Sequence, residues 1–144
     1  MTEREWDKRL HIKTIGREDE SDANCSPYEP TPYSVLERLA DSGHVTRKSR
    51  LLDYGCGKGR AAIFLAARTG CAAEGVDRSG KLIAVAEANR AGCPCPERVR
   101  FIHASAEGFR LTDGRCVLAN YDMNFVIANG FTTRPYELRV YLFE

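Results

Sequence analysis

Apolar positions along the chain recur with two periods, and the alternation between them predicts most of the architecture. Val35, Leu36, Leu39 and Ala40 share one face at helical spacing, with Gly43 placed to close that helix. Leu51 and Leu52 form a continuous apolar run ending in Asp53 and Tyr54, which predicts a buried strand over Arg50–Tyr54. The run Ala61–Ala67 then predicts a helix from about Arg60 to Arg68, ended by Gly70. Cys71–Asp77 reads as a second strand, small-residued as a buried parallel strand beside a helix can be. A further helix covers Ser79 to Asn89, with Leu82, Ile83, Val85 and Ala86 on its buried side and Gly92 beyond its end. After the rigid loop Cys93-Pro94-Cys95-Pro96, Val99, Phe101 and His103 alternate with Arg98, Arg100 and Ile102, a third strand at a sheet edge. Strands that alternate with helices imply βαβ units and a mainly parallel sheet, an α/β fold.

Outside this repeat the pattern leaves more open. Residues 1–27 are polar and charged and read as an arm before a domain over 28–144. Trp6, Leu10, Ile12 and Ile15 suit either a short helix or a strand docked on the body, and Glu18–Asp22 reads as a solvated loop or disordered arm. Thr31 before Pro32 suits an N-cap with proline at the first helical position, while Ser34 and Glu37 have capping-box spacing, so two starts compete. Further on, Tyr121–Thr132 reads as a fourth strand with the motif that follows it, and Val117–Asn120 competes for the same strand. Leu138–Phe143 can supply a fifth, but 132–137 is too short for the crossover helix that a parallel strand requires.

Composition narrows the function classes. A chain of 144 residues suits one domain, a size that buries roughly 68–70% of its unfolded surface. A formal net charge of +1 and a pI near 7.6 give no long-range pull toward nucleic acid or membrane. No apolar run reaches the ~20 residues that span a bilayer, and the polar N-terminus lacks a secretory apolar core, so the expected location is cytoplasmic. The six cysteines form no C-x-x-C pair, and reduced thiols with no metal site are expected.

The chemistry concentrates in Asp53-Tyr54-Gly55-Cys56-Gly57-Lys58-Gly59-Arg60. A strand that ends in alternating glycines and enters a helix lets the backbone turn tightly and approach a ligand, and the helix start adds unpaired N–H groups facing it. The spacing is not the G-x-G-x-x-G of a dinucleotide turn, and Lys58 is followed by glycine, not by the Ser/Thr of a phosphate loop. An acidic residue just before the turn fits a ligand ammonium better than a pyrophosphate. The competing reading is a glycine turn that only packs a helix on a sheet.

These residues resemble the first motif of the class I S-adenosylmethionine-dependent methyltransferases, (V/L)-(L/V)-D-x-G-x-G-x-G. Together with Tyr28-Glu29-Pro30-Thr31-Pro32-Tyr33-Ser34, the chain is similar to a group of small bacterial methyltransferases. The resemblance implies a Rossmann-like three-layer αβα sandwich with strand order 3-2-1-4 and a fifth strand if 138–143 pairs, incomplete against the family's seven strands in order 3-2-1-4-5-7-6. It implies S-adenosyl-L-methionine as cofactor, held by Asp53, Gly55, Gly57 and Gly59 at the turn. Asp77 would accept from both ribose hydroxyls, which its two oxygens suit, although it also stands where it could cap the next helix. Ser105 and Ala106 would contact the adenine, Ser105 replacing a usual Asp. Asn129 stands where relatives carry N-P-P-(F/Y), with Gly130 in place of proline; it would orient a nucleophilic nitrogen, or serve only as a turn residue. The tyrosine–proline segment would border the cofactor pocket or simply cap a packing helix. His103 reads as structural.

The resemblance covers roughly residues 28–131. A fourth strand with nothing beside it would leave an open edge in what should be the sheet centre, and a truncated or frameshifted reading frame is the expected cause. Two functions follow: a methyltransferase with no residue pattern that selects its acceptor, or a non-catalytic cofactor-binding remnant or interaction module. A nicotinamide-binding fragment is disfavoured by the glycine spacing and Asp53. A homodimer through the exposed edge would be one way to complete the sheet and permit methyl transfer.

Overall fold

A computed structural model describes residues 1–16, 28, 30–105, 115–120 and 138–142, the last two segments by their backbone pairing. Five strands, β1 (Arg50–Tyr54), β2 (Ala72–Asp77), β3 (Val99–His103), β4 (Arg115–Asn120) and β5 (Leu138–Leu142), form one sheet in the order β3-β2-β1-β4-β5. β1 lies parallel to β2 and β4, β2 lies parallel to β3, and β5 returns antiparallel to β4. The first two crossovers are helical, α3 (Arg60–Thr69) between β1 and β2 and α4 (Gly80–Gly92) between β2 and β3.

Both faces of the central strand are covered, as its unbroken apolar run requires. Leu51, with its lateral neighbours Ala73 and Val99, joins α3 and α4 in one cluster with Phe64, Leu65, Ile83 and Ala86. Leu52, Tyr54 and Val76 occupy alternate positions, outside that cluster, and are buried on the opposite face. β3 is the outermost strand on its side, as the alternation at Val99–His103 predicts.

The C-terminal strands differ from the expectation. The fourth strand is Arg115–Asn120, the competing reading, in register with β1 from Arg50↔Arg115 to Tyr54↔Ala119. Its far edge is not open, because β5 pairs with it from Cys116↔Leu142 to Asn120↔Leu138. An antiparallel partner needs no crossover helix, so the shortness of 132–137 does not prevent the pairing.

Residues before the domain pack onto it. α1 (Glu3–Leu10) begins with a full capping box, in which Glu5 N–H donates to Thr2 Oγ1 (3.1 Å) and Thr2 N–H to Glu5 Oε2 (2.8 Å). Trp6 stacks on Tyr33 at 5.7 Å and meets Phe64 edge-on at 5.2 Å. α2 (Tyr33–Asp41) starts at neither of the two caps expected from its own segment. Pro32 is its N-cap with no side-chain bond, and the first helical N–H, Tyr33, donates to Glu3 Oε1 across from α1 (3.1 Å). A neighbouring helix thus supplies the acceptor that a local cap would have supplied. With α1 and α2 outside it, α3 is buried without interruption from Arg60 to Ala66. The stretch 18–22 lies outside the described residues. Among the described residues no helix is long and apolar enough to cross a membrane.

Phe64 is 1% exposed where α1, α2 and α3 meet. Phe64→Ala is expected to lower unfolding free energy by about 3–5 kcal/mol. Arg68→Ala, which loses an exposed pair with Asp41 at 3.4 Å, should change it by less than about 1 kcal/mol. Urea titration of both variants checks the contrast.

Candidate functional site

The turn leaving β1 is built on three left-handed glycines, with φ of 73° at Gly55, 55° at Gly57 and 89° at Gly59. The carbonyl of Val76 at the end of β2 accepts from Gly55 N–H (2.8 Å) and Cys56 N–H (3.0 Å), which ties the turn to the next strand. A Cβ on Gly57 would stand 2.4 Å from the Tyr28 ring, and one on Gly59 would stand 2.5 Å from the Phe101 ring. At these two positions the absence of a side chain serves the protein's own packing. The competing reading of the turn, as a device for seating a helix on a sheet, therefore accounts for Gly59. At Gly57 the space expected for a ligand is filled by Tyr28, so the tyrosine segment does reach the turn.

Two carboxyls flank this turn. Asp77, at the end of β2, accepts from Gly57 N–H through Oδ2 and from Ser79 N–H through Oδ1, both at 2.9 Å. It thus fastens the turn to the start of α4, whose N-cap Ser79 accepts from Leu82 N–H at 3.2 Å. Each oxygen of a carboxylate has acceptor sites for about two donors. Asp53 lies deeper, 3% exposed, and none of the described residues gives its carboxyl a hydrogen bond or an ion pair. Burial, and secondarily the charge of Asp77, pushes its pKa from 3.8 up to about 8. A buried carboxyl with no partner among the described residues is suited to a cation, whose arrival would favour its ionised form. Cys56, between the two glycines, is pushed well up by burial and the same two carboxyls, and so is a poor nucleophile.

Beyond the turn, the sequence reading missed a buried polar network centred on Arg60. Its guanidinium donates through Nε to Thr14 Oγ1 (2.7 Å) and through Nη1 to the Thr31 carbonyl (3.1 Å) and to Glu3 Oε2. It also lies 3.8 Å from Asp7 Oδ1 and 4.2 Å from the centre of the Tyr33 ring. Asp7 in turn accepts from Thr14 N–H and Oγ1–H (2.6 Å each) and from the Tyr33 hydroxyl (2.5 Å). Desolvation, reinforced by Asp7, drives the Tyr33 hydroxyl far above its usual pKa. Tyr28 donates to the Thr14 carbonyl at 2.7 Å, and Lys58 Nζ stands 4.9 Å from the centre of its ring. Asn89 of α4 holds the same segment from the other side, bonding Lys13 N–H (2.9 Å), the Lys13 carbonyl (3.1 Å) and the Lys58 carbonyl (2.9 Å). Segments distant in sequence thus converge on the turn. The available signal was an arginine and an asparagine inside apolar helical faces.

Of the expected site residues, Asp53, Gly55, Gly57, Gly59 and Asp77 meet at the carboxyl ends of β1 and β2, beside the β1/β4 point where the strand order reverses and open α/β sheets bind ligands. Ser105 is exposed just past β3, following Ala104, whose N–H bonds the Asp77 carbonyl at 3.1 Å. Ala106 and Asn129 lie outside the described residues. His103, expected to be structural, is exposed, and its Nε2 lies 3.0 Å from the Arg78 carbonyl. Cys56, Cys71, Cys93 and Cys95 are buried and outside any disulfide, and no group of metal-ligating side chains occurs among the described residues.

Residues 51–132 match a family described as a methyltransferase domain. No curated protein matches the chain. Among solved structures, an RNA methyltransferase from Salinibacter ruber in complex with S-adenosyl-L-homocysteine aligns with a TM-score of 0.56 at 20% identity, over 63% of this chain and 76% of that one. A SAM-dependent methyltransferase from Thiobacillus denitrificans, with the same ligand, aligns at 0.56 and 20%, over 69% and 52%. One from Geobacter sulfurreducens, again with that ligand, aligns at 0.55 and 21%, over 63% and 49%. This likeness establishes the fold, and this chain spans about half the length of the last two.

Gly59→Ala is expected to destabilise through the left-handed backbone, about 1–2 kcal/mol, and through overlap with Phe101. In Gly59→Ala/Phe101→Leu the second part should be relieved, giving a favourable coupling above about 0.5 kcal/mol. Denaturant unfolding of the two single variants and the double variant measures it; strictly additive losses would contradict the packing account.

Proposed function

We propose, from the fact that this chain belongs to the methyltransferase-domain family, that it is an S-adenosyl-L-methionine-dependent methyltransferase whose cofactor lies across the carboxyl ends of β1 and β2. The observation that carries the reading is Asp53, a buried carboxyl beside the glycine turn with no hydrogen bond or ion pair from the described residues. The ammonium of the cofactor's amino-acid end is the kind of partner that such a group lacks. The structures that align with this chain and hold S-adenosyl-L-homocysteine support the choice of ligand.

Each residue then has a stated task. Asp53 gives up its proton and holds the ammonium. Gly55, Gly57 and Gly59 shape the backbone beside it, and Gly57 N–H positions Asp77. Asp77 accepts from the ribose hydroxyls, which its two oxygens suit. Ser105 and Ala106 face the adenine, and Asn129 orients the acceptor nitrogen. When bound, the cofactor supplies an activated methyl group on a sulfonium that leaves as a neutral thioether. The chain's own contribution is alignment of the acceptor with that group, so a strong acid or base is not demanded of it.

The non-catalytic alternative drew on the loss of the N-P-P-(F/Y) character and of the later strands; β5 supplies a fifth strand beside β4, and Asn129 and Gly130 lie outside the described residues. A homodimer formed by strand addition would have to use β3 or β5, the outer strands. A cytoplasmic location fits buried cysteines that form no disulfide among the described residues.

Calorimetric titration tests the reading. S-adenosyl-L-homocysteine is expected to bind, and Asp77→Ala to weaken it roughly 10- to 150-fold. Absence of binding to the wild-type chain would refute the reading, and unchanged affinity in the variant would remove Asp77 from the site.

Asp53 makes a second prediction, with a definite sign. Its folded pKa of about 8 lies above the ordinary 3.8, so its contribution to the stability of the ligand-free protein is full below about pH 4 and is lost as pH rises through about 8. Binding an ammonium needs the ionised form, so affinity should rise from about pH 6 to 8, with proton release. Asp53→Asn should flatten that rise, weaken binding, and leave the ligand-free protein at least as heat-stable at pH 8. Calorimetry in buffers of different ionisation enthalpy, with thermal melts, checks all three.

A further inference from the structure

The pole of the sheet opposite the glycine turn carries a different kind of surface. Arg50 opens β1, and the strand places it about 13 Å from Tyr54, where the turn begins. Its neighbour in register on β4 is Arg115, another arginine. Arg47 and Lys48 lie in the preceding turn, which Ser49 ties to β2 by accepting from Ala72 N–H at 3.2 Å. The Arg47 side chain comes within 3.4 Å of where a Cβ on Gly70 would stand, and Arg98 donates to the Gly70 carbonyl at 2.7 Å. Positions 47, 48, 50, 98 and 115 therefore gather basic residues around the N-terminal ends of the strands.

Folding accounts for some of them. Arg98 satisfies the carbonyl that follows α3, and Arg68 pairs with Asp41. Arg47, Lys48 and Arg50 are exposed, and none makes an ion pair with a described residue. Like charges on neighbouring strand positions cost stability. The net charge of +1 conceals the segregation, because the buried Asp53 and the half-buried Asp77 gather at the other pole. What matters to a partner is the local field.

We infer that Arg47, Lys48 and Arg50 form a docking surface for the phosphate backbone of a nucleic acid, separate from the cofactor site. The choice of phosphate over an acidic protein rests on what the surface lacks. Protein interfaces are anchored by aromatic and apolar side chains, and the exposed large apolar residues among those described are Met1 and Ile15, both in the N-terminal segment. A surface of arginine and lysine without anchors reads phosphates and is indifferent to sequence.

The test is fluorescence anisotropy of a labelled oligouridylate of about 20 nucleotides at about 50 mM salt. The wild-type chain should bind, and Arg47→Glu/Lys48→Glu/Arg50→Glu should weaken binding at least about tenfold. The slope of log affinity against log salt should shrink by about 2, three contacts at about 0.7 each. A charge-matched variant with Arg4→Glu, Lys8→Glu and Arg38→Glu, exposed positions elsewhere, should bind within about threefold of wild type. Circular dichroism and S-adenosyl-L-homocysteine titration on the same samples establish that the fold is intact, without making the outcome depend on the cofactor. Failure of the wild type to bind, equal loss in the matched variant, or equally strong competition by poly-L-glutamate would each overturn the inference.

Discussion

The burial of the Arg60 guanidinium is the constraint on which the rest of the structure depends. Arg60 is 3% exposed at the first position of α3, where the partial positive charge of a helix start makes a cation unwelcome. It is tolerated because Glu3, Asp7, Thr14 and the Thr31 carbonyl surround it. Removing one partner from such a buried pair generally costs about 3–5 kcal/mol, since the other charge is left stranded. The N-terminal helix, the segment at Thr14 and the entry to α2 are therefore not optional attachments. They are the counter-charges that allow α3 to begin where it does, directly behind the glycine turn.

That arrangement carries through to the site. Thr14 receives the Tyr28 hydroxyl on its carbonyl, and the Tyr28 ring covers Gly57. Gly57 donates to Asp77, and Asp77 also bonds the residue that caps α4. A run of contacts thus leads from the arginine to the carboxylate that faces the ribose in the proposed function. The site is stiff in the sense that matters for alignment: its backbone donors and acceptors are held by side chains from several different elements.

Asp53 is the one group in this assembly left without a partner among the described residues, and a fold does not usually keep a buried carboxyl in that state for stability's sake. The same burial that raises its pKa makes it responsive to a cation, because binding restores an interaction that the folded protein by itself withholds. The two poles of the sheet consequently differ in character. One holds a buried and a half-buried acid around a turn, and the other presents exposed bases around the strand starts.

The strands β1 to β3, the helices between them and the convergence of Asp53, the glycines and Asp77 were legible from sequence alone. They rest on local periodicity, on glycine conformations and on βαβ connectivity, all of which act within a few tens of residues. The tertiary structure decided what depends on distant segments meeting. It chose Arg115–Asn120 as the fourth strand, because only in-register pairing with β1 separates it from the apolar stretch that follows. It closed the β4 edge with an antiparallel β5, which no local pattern specifies. It capped α2 with Glu3 in place of its own Thr31, Ser34 or Glu37. It also revealed that Gly57 and Gly59 are glycines because aromatic rings from positions 28 and 101 lie against them. A sequence displays the need for a small residue or a counter-charge, but the neighbour that imposes the need is set by packing.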